Sequence, residues 1–84
     1  MTKEQIFETL RRYITEEILE GDAADLDAST RLLELGVLNS LEVARMTSFI
    51  QRNFGLIVPL DAIRVENLAT LSSITEMVFA LRRP

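Results

Sequence analysis

The chain of 84 residues contains no cysteine and no histidine. Without thiols it can form no disulfide and run no thiolate chemistry of its own, and without imidazole it lacks the commonest general base and metal ligand. The unmodified polypeptide is therefore a poor catalyst. No apolar run approaches the ~20 residues needed to span a bilayer, and the polar start Met1-Thr2-Lys3-Glu4-Gln5 is unlike a signal peptide. Those absences predict a cytoplasmic location without membrane insertion. Basic residues are also few: nine Lys and Arg stand against thirteen Asp and Glu, a net charge of −4. No basic stripe emerges, which disfavours nonspecific nucleic-acid binding. There is no internal repeat, no low-complexity tract and no sustained strand alternation.

What remains is an ordinary globular composition, 48% hydrophobic and 26% charged, long enough for one domain over residues 1–84 and no second one. A core of this size leaves a stability margin of roughly 3–5 kcal/mol. Ile6, Phe7, Leu10, Ile14 and Ile18 recur at helical spacing and predict a first amphipathic helix over residues 3–19, closed by Gly21. Residues 22–30 have no periodicity and begin a long loop, with Leu26, Leu32, Leu33 and Leu35 as its tethers to the core. A second helix is predicted from Ser40 to Asn53, with Val43, Met46, Ile50 and Phe54 on its buried side and Gly55 as its stop. Pro59 keeps Ile57 and Val58 extended, and a short helical turn fits within residues 60–65. Thr70 or Ser72 can cap a last helix striped by Ile74, Met77, Val78 and Leu81, whose negative end suits Arg82 and Arg83. The fold class is all-α, a small four-helix bundle with a long loop between helices 1 and 2 and a short helix 3.

The chemistry concentrates in Leu35-Gly36-Val37-Leu38-Asn39-Ser40-Leu41-Glu42. Asn39 is a good N-cap, and Glu42 three residues later can complete a capping box. That spacing puts Ser40 at the first helical position. A hydroxyl there sits beside unpaired N–H donors and the positive end of the helix dipole, where an attached phosphate is electrostatically favoured. Taken alone, the serine reads first as a residue that helps to start a helix, and it is the surrounding motif and chain length that turn the reading toward modification. Gly36 permits a positive φ in the approach turn and leaves room for close approach to Ser40. Asp22, Asp25, Asp27 and Glu34 lack the alternation, glycine and terminal glutamate of a calcium loop, so they read as solvated charge.

This stretch, the apolar helix after it and the following Asn53-Phe54-Gly55-Leu56-Ile57-Val58-Pro59 resemble an acyl or peptidyl carrier protein over nearly the whole chain. In that family the serine of an Asp-Ser-Leu or similar motif carries 4′-phosphopantetheine through a phosphodiester, and the matching serine is Ser40. Asn39 stands where acyl carriers usually have Asp, which keeps the cap, removes a negative charge and bears on the choice of transferase. The resemblance implies a non-catalytic carrier of an acyl, aminoacyl or short peptidyl thioester, with Ser40, Asn39 and Gly36 forming the cofactor site. No metal site is expected in the chain.

The implied partners are a phosphopantetheinyl transferase, which uses coenzyme A and magnesium, then an adenylating ligase or acyltransferase, then an acyl-accepting enzyme. Leu41, Glu42, Arg45, Ile63 and Arg64 are the expected docking residues. Val43, Thr47, Ser48, Phe49, Ile63, Val65 and Leu68 are candidates for an apolar groove. Fatty-acid carriers of the family present a strongly acidic second helix, whereas Glu42, Arg45 and Arg52 give this one a net charge of +1. That difference points to polyketide or nonribosomal partners. The initial Met and the lack of a long linker suggest a freestanding aminoacyl or peptidyl carrier, and a carrier that must visit several enzymes is expected to be a monomer. The Val58-Pro59 approach and Glu66-Asn67-Leu68-Ala69-Thr70-Leu71-Ser72-Ser73-Ile74 resemble those of amino-acid carriers, including the D-alanyl carriers of cell-wall teichoic acid synthesis. An unmodified helical interaction module is the alternative from another class.

Overall fold

Thr2 starts the first helix. Its hydroxyl accepts the Gln5 N–H at 3.2 Å while its own N–H donates to Gln5 Oε1 at 2.7 Å, a reciprocal cap. From there a computed structural model, which describes residues 1–21 and 26–82, gives an all-α order: α1 (Lys3–Tyr13), α2 (Ser40–Phe54), α3 (Val65–Leu68) and α4 (Leu71–Arg82). Among the described residues there is no strand. The predicted start of the long loop at Asp22 and Asp25, with the calcium question attached to them, lies outside the described residues, as does Arg83.

The first helix departs from expectation at its end. Ile14–Ile18 form a π-helical turn rather than α-helix, with the Leu19 N–H donating to the Ile14 carbonyl at 2.9 Å. Beyond it Glu20 takes φ +54°, and the Gly21 N–H reaches back to the Thr15 carbonyl at 2.7 Å. The left-handed turn thus widens the last helical turn, a device that spacing alone does not signal.

Ile6, Leu10 and Ile14 have no exposed surface and face Ile74 and Val78 of α4, which are equally buried. Each such side chain contributes about 1.5–3 kcal/mol on leaving water. α1 and α3 both pack on α4, and α2 joins the same core through Met46 and Ile50. Tyr13 stacks on Phe49 with ring centroids 4.3 Å apart, fastening α1 to α2. Thr70, not Ser72, caps α4: Ser73 N–H donates to Thr70 Oγ1 and Thr70 N–H to Ser73 Oγ, both at 3.1 Å. Lys3 Nζ and Arg82 Cζ lie 4.9 and 5.4 Å from the centroid of the Phe79 ring.

The loop into α2 is held as predicted by Leu32, which is fully buried, with Leu26 and Leu33 half-buried against the core. Leu35 is a correction: it is 68% exposed and tethers nothing. The turns over residues 32–36 put Leu32 inward and leave Leu35 on the outer side. On the far side of α2, Gly55 takes φ +66° and its N–H donates to the Gln51 carbonyl at 3.0 Å, the left-handed stop that glycine supplies without strain. Gln51 Oε1 then accepts the Val58 N–H at 3.1 Å, holding the extended segment against α2. A 3₁₀ turn at Leu60–Ala62 leads into α3.

Candidate functional site

Ser40 is the first residue of α2 and is exposed. Asn39 is extended, with φ −107° and ψ −176°, and its Oδ1 accepts the Glu42 N–H at 2.9 Å. The Asn39 carbonyl takes the Val43 N–H at 2.8 Å. The cap therefore satisfies the third and fourth amides and leaves those of Ser40 and Leu41 at the open, electropositive end of a 15-residue helix. The expected capping box is only half made. Glu42 Oε1 accepts instead from Arg45 Nη1 at 3.0 Å, and its side chain is 17% exposed. The helical i,i+3 geometry brings that guanidinium within reach, and the pair is worth a few tenths of a kcal/mol.

Gly36, four residues before Ser40, has φ +75°, and a Cβ built there would meet nothing within 4 Å. The need for glycine is conformational, and the face it leaves is open. Leu38 is buried, and its N–H donates to the Leu32 carbonyl at 3.1 Å, closing the turn that aims the chain into α2.

Ser40 opens onto a groove of about 460 Å³ between α2 and the α3 region. Leu33, Leu38, Val43, Ile63, Val65 and Leu68 give it apolar walls, and Asn39, Ser40 and Arg64 its polar atoms. Four of the groove candidates, Val43, Ile63, Val65 and Leu68, are there. Three are not: Phe49 is turned to Tyr13, Thr47 donates its hydroxyl to the Val43 carbonyl at 2.8 Å, and Ser48 is exposed. A helix distributes successive side chains around its axis, so only some of that run can face α3. Leu33 and Leu38 were not foreseen as groove residues; their only signal was the apolar character of the approach loop.

Of the expected docking residues, Leu41 is 66% exposed beside Ser40, and Val65, another exposed apolar residue, is 68% exposed across the groove. Arg64 precedes α3 and pairs with Glu66 at 3.0 Å, both side chains well exposed. The backbone amide of Glu66 and the Arg64 charge hold the Glu66 carboxyl below its ordinary pKa. Ile63 is half-buried in the core. Arg45, expected as a docking residue, pairs with Glu42 at 3.0 Å, so the positive charge that this pair leaves on α2 is Arg52.

Comparison with known proteins gives this arrangement a family. The phosphopantetheine attachment site family, a domain described as PP-binding, matches residues 8–78. The chain belongs to that phosphopantetheine-binding family. Seven chains of solved structures also match. One, from a structure described as "Crystal structure of FAD-dependent dehydrogenase", has 33% sequence identity and a TM-score of 0.78 over 83% of this chain and 99% of that chain. No curated sequence matches.

As a phosphopantetheine-binding carrier, the domain has 4′-phosphopantetheine as its covalent cofactor. Carriers of the family are generally non-catalytic, and they work with a phosphopantetheinyl transferase and acyl-handling enzymes. The residues around Ser40 fit such a group: an exposed hydroxyl, two amides at a helix N-terminus, a neutral neighbour in Asn39 and an apolar groove alongside. Among the described residues no helix is long and apolar enough to cross a membrane, and no cluster of carboxylates could hold a metal ion.

Proposed function

We propose that Ser40 bears the phosphopantetheine and that the domain carries an aminoacyl or short peptidyl thioester in polyketide or nonribosomal-type biosynthesis. The observation that carries this reading is the exposure of Ser40 at the open end of α2, capped by Asn39 and facing the apolar groove. The attached group supplies the thiol that the polypeptide lacks. The chain's own part is to present and orient: Asn39 fixes the helix start, the free amides of Ser40 and Leu41 favour the phosphodiester charge, and the exposed apolar side chains of Leu41 and Val65 on either side of the groove suit a transient interface below ~1,200 Å². Tethering then raises the cargo to roughly millimolar effective concentration at a docked enzyme.

The similarity to a chain from a structure described as an FAD-dependent dehydrogenase bears on a partner. A bundle of 84 residues has no room to enclose a dinucleotide with a second reactant. A flavin-dependent dehydrogenase is therefore proposed as one enzyme that receives the loaded carrier. The absence of an acidic α2 supports partners other than the fatty-acid synthase, since the Glu42–Arg45 pair leaves little negative charge near Ser40.

The test is intact mass after incubation with coenzyme A, magnesium and a broad-specificity phosphopantetheinyl transferase. The expected result is a gain of one phosphopantetheinyl group, abolished by Ser40→Ala with the fold unchanged by circular dichroism. No gain with several transferases would favour the unmodified interaction module. Which ATP-dependent ligase charges the modified protein, and with what, separates the proposed cargo from D-alanine.

A further inference from the structure

The groove beside Ser40 is unevenly charged. Among the described residues that line it, Arg64 is the one cation and there is no carboxylate. A phosphodiester on Ser40 adds a full negative charge at the mouth of that groove, and the adjacent Asn39 adds none to repel it.

Two arginines near Ser40 are differently placed to answer that charge. Arg45 is on the same helix but is held 3.0 Å from Glu42, whose side chain is 17% exposed. Arg64 is on the opposite wall. Its partner Glu66 is two positions away, and the side chains are 59% and 68% exposed. An ion pair that open to water contributes little and exchanges readily. Arg64 also occupies the N-cap position of α3 without making a side-chain cap there, so its guanidinium can leave Glu66 without costing the helix a bond.

We propose that Arg64 is the counter-cation of the phosphodiester on Ser40, exchanging Glu66 for the phosphate and drawing the root of the arm across the groove toward α3. A planar guanidinium donates two parallel N–H bonds to phosphate oxygens, which fixes direction as well as charge. The consequence is orientational. The arm leaves Ser40 along the apolar wall of Ile63 and Val65 instead of swinging freely around the α2 terminus. Arg64 acts here as a positioning residue. This inference rests on Ser40 being the attachment residue.

The experiment compares apo and phosphopantetheinylated protein for wild type, Arg64→Gln, Arg64→Lys and Glu66→Gln, with intact mass read first. In modified wild-type protein the Arg64 Nε–Hε resonance is expected to shift and its solvent exchange to slow several-fold, an effect lost near 0.5 M salt, where the Debye length is only a few ångströms. The melting-temperature difference between modified and apo protein is expected to be more positive in wild type than in Arg64→Gln by about 2 °C. Arg64→Lys is expected to keep part of that difference, and Glu66→Gln to enlarge it. A mass gain at Ser40 with a silent Arg64 resonance and equal melting differences in wild type and Arg64→Gln overturns this proposal alone. No mass gain, or a gain that survives Ser40→Ala, overturns the attachment reading and this one with it.

Discussion

The backbone N–H of Leu32 donates to the Ala69 carbonyl at 2.8 Å, which ties the loop before α2 to the corner between α3 and α4. The Ser72 N–H closes a second strap on the Ala28 carbonyl at 3.0 Å. With Leu38 bonded back to Leu32, these straps bring the start of α2 opposite α3 and create the groove beside Ser40. The position of the candidate site therefore depends on a residue eight positions from it.

Leu32→Ala is expected to be severe. Leu32 has no exposed surface, and truncating such a leucine costs about 2–5 kcal/mol, comparable with the whole margin of a domain this small. Thermal denaturation is expected to show a melting point lower by at least about 10 °C. A drop under about 5 °C would mean that the backbone straps, not the side chain, hold the loop.

Asn39→Ala removes the acceptor of the Glu42 N–H and is expected to destabilise the apo protein by about 1 kcal/mol, or roughly 4–8 °C. Asn39→Asp keeps an acceptor at the positive end of α2 and is expected to melt at or slightly above the wild-type temperature. Equal melting points for all three proteins would show that the cap contributes nothing.

Leu41→Ala is expected to leave stability within about 0.5 kcal/mol, because Leu41 is 66% exposed. If Leu41 is an apolar docking contact, its loss should raise the transferase KM on the order of five-fold while leaving kcat nearly unchanged. An unchanged KM would remove Leu41 from the docking surface.

Asp27 gives the fold an acid-side dependence. Its Oδ1 accepts the Ser29 N–H at 2.8 Å, the Ser29 hydroxyl at 3.0 Å and the Thr30 hydroxyl at 3.2 Å, and the backbone bond from Ser29 leads in holding the carboxyl below its ordinary pKa. A depressed folded-state pKa means that the stabilisation is fully present above the unfolded value. It is lost as the pH falls below about 4 and through the lowered folded value. Asp27→Asn is expected to flatten the pH dependence of urea unfolding in that window. An unchanged slope there would place the acid sensitivity elsewhere.

Much of the candidate site was legible because it is local. An asparagine placed just ahead of an apolar stripe at helical spacing caps that helix with its own side chain, so Asn39 and the start of α2 at Ser40 follow from spacing. Gly55 and Gly36 were legible for the same reason, each marking a left-handed residue. The failures in side-chain placement are cases in which spacing allows more than one place for a side chain, and packing or a rival partner chose between them. Glu42 turned to Arg45 rather than back to the cap. Phe49 turned to Tyr13 rather than into the groove. Leu35 has the same apolar character as Leu32, yet only one of them fits beneath the loop.

The sequence by itself determined the helical class, the punctuation of α2 and the residue types that meet at Ser40, since periodicity, caps and stops act over a few positions of the chain. Only the tertiary structure decided which apolar side chains line the groove and that Arg64 faces Ser40 across it. Those outcomes depend on how the loop and α3 dock on α4, and docking is the sum of many weak contacts between residues far apart in sequence.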